Sequence, residues 1–384
     1  MKRKNIKIGD QVLIDRNHLN DLITLLSEKG YRVIGPKKND HAIIYDDIFS
    51  DGDLPIGWTD EQDAGSYRLK KRNDGAVFGF NLSPHSWKKY LYPPDVRLWD
   101  AHKSKNRIKI NKSETKGDKF AFIGPRSCEL YAIAILDKVF SNGQFTDSAY
   151  KKKRKNSMIV AINCTQAGGT CFCTSTGTGP KVGYGFDLCL TEVIEDERHY
   201  FIVDTGTEKG LEILNRIPHE EVKDFDRKSA DKILDGVAGQ MKRKISIDAI
   251  SDCISSNLSH PVWENTASQC LSCGNCTLVC PTCFCTNIED YTDLSGTNSD
   301  RRRKWDSCFS LDFSYIFGGS VRTSPEARYR QWFTHKFSSW QKQFGVLGCV
   351  GCGRCITWCP GGIDITDVLR KIQKSEYLVS ASKL

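Results

Sequence analysis

The chain has 384 residues, 39% of them hydrophobic and 27% charged, with a formal net charge of +8 and seventeen cysteines. That length suits two or three domains with a sizeable core. The odd cysteine count, and a start (Met1-Lys2-Arg3-Lys4-Asn5-Ile6) without an apolar signal core, argue against a secreted disulfide scaffold, and no apolar run nears the roughly 18 residues of a membrane span. A cytoplasmic location is expected, where dense cysteine means metal. Bound thiolates carry negative charge that a formal count omits, so the positive excess does not by itself call for nucleic acid.

In chain order, Leu19, Leu22, Ile23 and Leu26 recur at helical spacing, with Asp15 or Asn17 as cap and Gly30 as stop. Residues 31–34 predict a strand ending at Gly35-Pro36, and residues 42–45 a second. Residues 50–118 are rich in Gly, Pro and aromatics and read as short strands and loops. Trp58, Trp87 and Trp99 there read as core or interface anchors. Residues 119–123 predict a buried strand, Gly124-Pro125-Arg126 a turn, and residues 127–139 a helix. Cys128 falls in the first turn of that helix, where the dipole favours a thiolate. The basic run at 151–155 reads as a solvated loop before the strand predicted at 158–162.

Cys128 and Cys164 each lie just past the carboxyl end of a predicted strand, the edge at which open α/β sheets bind ligands. Cys171 and Cys173 share a glycine-rich loop with Cys164, and glycines there let backbone approach a cluster. Cys128, Cys164, Cys171 and Cys173 are therefore candidate ligands of an additional cluster, expected as [4Fe–4S]. Zinc and metal-free buried thiols are the alternatives. Cys189 lies in a strand-like run and reads as core. A helix over 229–246 and a polar stretch over 252–260 read as a hinge. The expected organisation is an α/β domain over 1–250, then a mainly α-helical domain over 251–384 carrying two [4Fe–4S] sites.

That second domain holds two copies of one pattern, Cys270-x2-Cys273-x2-Cys276-x3-Cys280-Pro281 and Cys349-x2-Cys352-x2-Cys355-x3-Cys359-Pro360. This is the bacterial ferredoxin run, in which the fourth cysteine serves the other cluster. Cys270, Cys273, Cys276 and Cys359 are thus assigned to one [4Fe–4S] cluster, and Cys349, Cys352, Cys355 and Cys280 to the other. Zinc ribbons do not ask for a third cysteine two residues on. The long gap between the copies suits a helical two-cluster domain. Within it, Cys283, Cys285 and Cys308 suit an extra metal with an unusual ligand, or sulfur donors beside a cluster, and the sequence does not choose. The run Arg301-Arg302-Arg303-Lys304 suits either a solvated loop or an acidic partner. The segment with Arg322, Arg328, Arg330, Trp332 and Trp340 suits either an interface or a core.

Several stretches together resemble one family: Gly124-Pro125-Arg126-Ser127-Cys128, the 163–173 loop, Gly185-Phe186-Asp187, the 270–285 run, Trp305-Asp306-Ser307-Cys308, the 330–337 segment and the 348–360 run. Asp53-Leu54-Pro55-Ile56-Gly57-Trp58 and Pro84-His85-Ser86-Trp87 fit as well. The chain resembles the iron–sulfur beta subunit of cytosolic NiFe sulfhydrogenases of group 3b type, which is similar to the iron–sulfur subunit of dissimilatory anaerobic sulfite reductase. The resemblance spans residues 22–369. It implies an electron-transfer subunit between a flavin subunit that handles NAD(P)H and a catalytic subunit that reduces protons, sulfur or sulfite. The chain has no G-x-G-x-x-G of its own, and no catalytic residue is assigned. An enzyme with its own N-terminal substrate site and a zinc-containing structural protein are the rival expectations.

Overall fold

The computed structural model describes residues 6–81, 83–105, 107–113, 118–195 and 198–381. The basic start, Met1–Asn5, lies outside the described residues. The strands are β1 (Gln11–Asp15), β2 (Arg32–Lys38), β3 (Ile43–Asp47), β4 (Trp58–Asp63), β5 (Ser66–Lys71), β6 (Asp95–Ser104) and β7 (Arg107–Lys112). After these come β8 (Phe120–Ile123), β9 (Met158–Ile162), β10 (Leu188–Glu195), β11 (Arg198–Thr205), β12 (Glu220–Glu221), β13 (Thr286–Thr292) and β14 (Asn298–Trp305).

Eight strands form the main sheet in the order β12-β1-β11-β10-β9-β8-β2-β3. Its centre is parallel, β2 with β8, β8 with β9 and β9 with β10, and antiparallel strands flank it. Strands β8 and β9 are buried at every position. Continuous apolar runs are what a parallel strand covered on both faces requires. Alternate residues feed two cores. Ala121, Ile123, Val160 and Ile162 pack with Leu22, Ile23 and Leu26 of the helix Leu19–Glu28. Phe120, Phe122, Ile159 and Ala161 pack with Leu130, Ile133 and Leu136 of the helix Ser127–Phe140.

Strand β2 runs on through Gly35 and Pro36 rather than ending there. Its pairing with β8 stops at Ile34, so beyond that point only β3 lies alongside. A proline without an N–H is tolerated where one neighbour is missing. The basic run 151–155 is helical, within Ser148–Asn156, rather than a loop. Asp147 caps that helix by accepting from the Tyr150 N–H at 2.9 Å. The buried Tyr150 ring, whose hydroxyl donates to Asp137 at 2.7 Å, anchors it.

The remainder is largely helical. Short helices Asn275–Leu278 and Arg354–Thr357 follow the two cysteine triplets. The helices Ile250–Ser256, Val262–Ala267, Pro325–Thr334 and Ile365–Ala381 surround them. Tyr329, Trp332, Phe333 and Trp340 are buried, so the aromatic segment is core. A second sheet, β13-β14-β6-β7, joins the insertion between the triplets to the N-terminal half. Its basic run is internally matched: Arg301 pairs with Asp290, Arg302 with Asp95 and Asp300, Arg303 with Asp147, and Lys304 with Glu289. An acidic partner is not needed to account for those charges. Trp87 is buried and stacks on Tyr45 at 4.0 Å, while Trp99 lies under Arg301. Cys189 is buried in β10, as core.

Candidate metal centre

The parallel pairing of β8 and β9 puts their carboxyl ends on one edge of the sheet. The chain leaves β8 through Gly124-Pro125-Arg126 and enters the helix Ser127–Phe140, carrying Cys128. It leaves β9 into the loop that carries Cys164, Cys171 and Cys173. Glu129 fixes the helix start by accepting from the Arg126 N–H at 3.1 Å. The Arg126 guanidinium donates to Asn163 O at 3.0 Å, tying the two turns together. Cys128 and Cys173 sit in one buried cluster with Cys164, Cys171 and Met241. The Cys173 sulfur lies 3.9 Å from Met241 Sδ.

Burial pushes the Cys128 thiol well above its ordinary value, and the nearby sulfurs of Cys173 and Cys352 push the same way. The helix dipole does not win there, because desolvating a thiolate costs more than the dipole returns. Burial and Cys164 push Cys171 up to about 12. Burial raises Cys164 too, against the opposing pull of Arg126. A cation that binds this set must displace protons, so loading depends on pH.

The ferredoxin-type cysteines separate into two groups. Cys276 faces Cys270, Cys359 and Cys273. A cavity of about 430 Å³ is lined by Cys270, Cys273, Cys276 and Cys359, with Phe309, Tyr329 and Trp332 behind them. Cys355 also borders it. Cys355 faces Cys349, Cys352 and Cys280 most strongly, then Cys276. Burial drives Cys276 and Cys355 well up, and Cys349 to about 12. Backbone amides point at two sulfurs: Ser272 N–H to Cys270 Sγ and Ile363 N–H to Cys359 Sγ, both 3.4 Å. Among the described residues no three His, Cys, Asp or Glu side chains converge as they would on a single metal ion. Thiols spread around a cavity fit a cube, which takes one thiolate at each corner.

The two halves of the candidate site meet closely. The Phe172 N–H donates to Gly351 O at 2.9 Å, and the Thr178 hydroxyl donates to Val350 O at 2.7 Å. Gly351 (φ +61) and Gly353 (φ +76) are left-handed, and a Cβ on either would meet the 170–173 backbone at under 3 Å. Cys352 consequently faces Cys128, Cys171 and Cys173. A buried ion pair locks the junction. Arg354 holds Glu129, the residue after Cys128, and both are about 1% exposed. Arg354 also donates to Ser83 O at 2.7 Å, while Tyr45 donates to Glu129 at 3.0 Å.

Cys283, Cys285 and Cys308 form a neighbouring sulfur-rich group. Cys283 donates to Cys280 and Cys308 to Cys285, which lowers Cys285 to about 7. Two lysines that sequence reasoning did not single out are buried here. Lys88 donates to Cys283 O at 2.9 Å and sits 4.0 Å over the Trp305 ring. Lys336 donates to Cys280 Sγ at 3.2 Å. The one sequence signal for Lys336 is a lysine set among the aromatic residues of an apolar helical stripe.

A family model described as a 4Fe-4S dicluster domain matches residues 269–363. Sulfhydrogenase 2 subunit beta of Pyrococcus furiosus is 33% identical over 274 residues, covering 70% of this chain and 79% of that protein. No solved structure matches. With the cysteine groups placed as the ferredoxin pattern requires and a relative of this extent, the chain belongs to the family of iron–sulfur sulfhydrogenase beta subunits.

Proposed function

We propose that this chain is an electron relay within a multi-subunit oxidoreductase. It would link a flavin subunit that handles NAD(P)H to a catalytic hydrogenase or sulfhydrogenase subunit. The carrying observation is the succession of cysteine groups. Cys128, Cys164, Cys171 and Cys173 lie against Cys352, the group of Cys352 lies against Cys276, and the group of Cys276 reaches the surface at the exposed Cys273. When bound, [4Fe–4S] clusters supply one-electron chemistry, and the protein sets their position and surroundings. The residues assigned to hold them are Cys270, Cys273, Cys276 and Cys359, then Cys349, Cys352, Cys355 and Cys280, then Cys128, Cys164, Cys171 and Cys173. The third set is supported by four thiols meeting at the carboxyl edge of the sheet, with no carboxylate or histidine called for as a ligand. Two units, 1–250 and 251–384, are proposed to carry the third set and the ferredoxin pair respectively.

Anaerobic purification with iron, sulfide and zinc analysis tests this. About twelve iron per chain is expected from three four-iron cubes. The double variant Cys171→Ser/Cys173→Ser is expected to lose about four of them. Iron unchanged in that variant returns the N-terminal cysteines to a structural role, and zinc without sulfide overturns the electron-transfer reading. Against a hydrogenase catalytic subunit, co-purification of a sulfite-reducing partner would favour the sulfite reductase relation instead.

A further inference from the structure

Lys336 is 2% exposed and lies in a π-helical turn, His335–Ser339, between the helix Pro325–Thr334 and the helix Trp340–Phe344. Such wide turns recur at functional sites because they push one side chain out of helical register. Its Nζ donates to three acceptors: Cys280 Sγ at 3.2 Å, Thr282 Oγ1 at 3.3 Å and Gly348 O at 3.2 Å. Three donated bonds use all three N–H groups of an ammonium. Among the described residues none of these partners is a carboxylate. A buried ammonium without an anion is costly, so the site implies negative charge within reach. The anions available are sulfurs: Cys280, Cys283 and Cys349 face the ammonium.

The surroundings of the two ferredoxin-type groups therefore differ. At Cys270 and Cys359 the donors are neutral backbone amides, each 3.4 Å away. Around Cys280 the donor is a full charge, with the Thr282 hydroxyl at 3.1 Å and the Cys283 thiol alongside. Hydrogen bonds and positive charge at a cluster's sulfurs stabilise the reduced, more negative form and raise its potential.

We infer that Lys336 sets the potential of the cluster held by Cys349, Cys352, Cys355 and Cys280, making it the more easily reduced of the ferredoxin pair. Lys336 acts through the Cys280 sulfur and is a positioning residue, not a ligand. The electron then rests at the middle of the relay, between the N-terminal group and the surface group. This inference rests on the ligand assignment proposed above.

The test is an EPR-monitored redox titration of the full chain, loaded anaerobically, for wild type, Lys336→Gln and Lys336→Met. Iron and sulfide are measured in each sample. At the wild-type midpoint of the affected cluster, the ratio of reduced to oxidised form is expected to fall about tenfold or more in both variants, a shift of about 59 mV for a one-electron couple. The other signals stay in place, and Lys336→Arg restores most of the shift. An unmoved midpoint in fully loaded neutral variants overturns the inference. Wild type with well under about eight iron, the content of two cubes, overturns the ligand assignment itself and is read independently of Lys336. Should the neutral variants fail to load, wild type labelled with ¹⁵N-lysine answers the same question. Electron spin-echo modulation of the reduced cluster is expected to show a ¹⁵N coupling, and its absence sinks the idea.

Discussion

Glu129 and Arg354 are 225 positions apart, yet their carboxylate and guanidinium meet at about 1% exposure each. Glu129 follows Cys128 and Arg354 precedes Cys355, so this pair aligns the N-terminal cysteine group with the ferredoxin groups. Each charge has further partners, Tyr45 and the Arg126 N–H on one side and two backbone carbonyls on the other. Removing one partner strands the other charge in a dry site. Glu129→Gln is expected to cost about 3–5 kcal/mol, read as a lower midpoint in urea unfolding. Glu129→Asp, which keeps the charge but shortens the reach, should lose less. The cysteines could be found from sequence because metal chemistry imposes their spacing. Glu129 and Arg354 could not, because nothing local marks two residues that meet only after the sheet and the cluster domain have docked.

At the scale of elements, the helix Ser148–Asn156 shows how a local cap overrides composition. Its run of lysines and arginine repels itself and favours solvation, yet Asp147 satisfies the free N–H of Tyr150 and also pairs with Arg303 of β14. The buried Tyr150 then holds the helix against Ile133 and Asp137. Asp147→Ala removes the cap and one partner of a part-buried ion pair together. A loss of about 1–2 kcal/mol is expected from the cap, measured by thermal unfolding, while iron content stays unchanged. The run at 301–304 follows the same logic. Four adjacent cations read as a solvated loop until β13 and β6 supply Asp290, Glu289 and Asp95 as cross-strand partners. Cross-strand charge pairs of this kind are worth a fraction of a kcal/mol each. They settle where the run sits more than how stable it is.

For the whole molecule, the outer sheet is the unit that sequence order conceals. Strand β14 comes from the insertion between the cysteine triplets, and it pairs along β6 from the N-terminal half. The Arg354–Glu129 pair and the close approach at Gly351 and Gly353 join the same two regions. Beneath them, the helical core closes around the ferredoxin cysteines and the buried Lys336. Stripping iron with an oxidant and chelator under otherwise native conditions should therefore leave a buried ammonium facing protonated thiols. The stripped protein is expected to melt at a lower temperature and to be cleaved first by protease between residues 269 and 363, while the centre of the main sheet stays protected. Equal melting points before and after stripping would count against the clusters as structural members of that core.

The sequence alone determined the chemistry. Two ferredoxin runs, a third group of four cysteines and an α/β half before a helical half are all written in spacing and periodicity, because ligand geometry and strand or helix period act over a few residues. Tertiary structure alone decided how those parts are joined. It took β8 and β9 running parallel to bring Cys128 and Cys164 to one edge, and glycine contacts at 351 and 353 to set that edge against Cys352. It took a π-helical turn to aim Lys336 at Cys280. Each of these depends on residues far apart in the chain or on a shift of helical register, and neither leaves a periodic trace in the sequence.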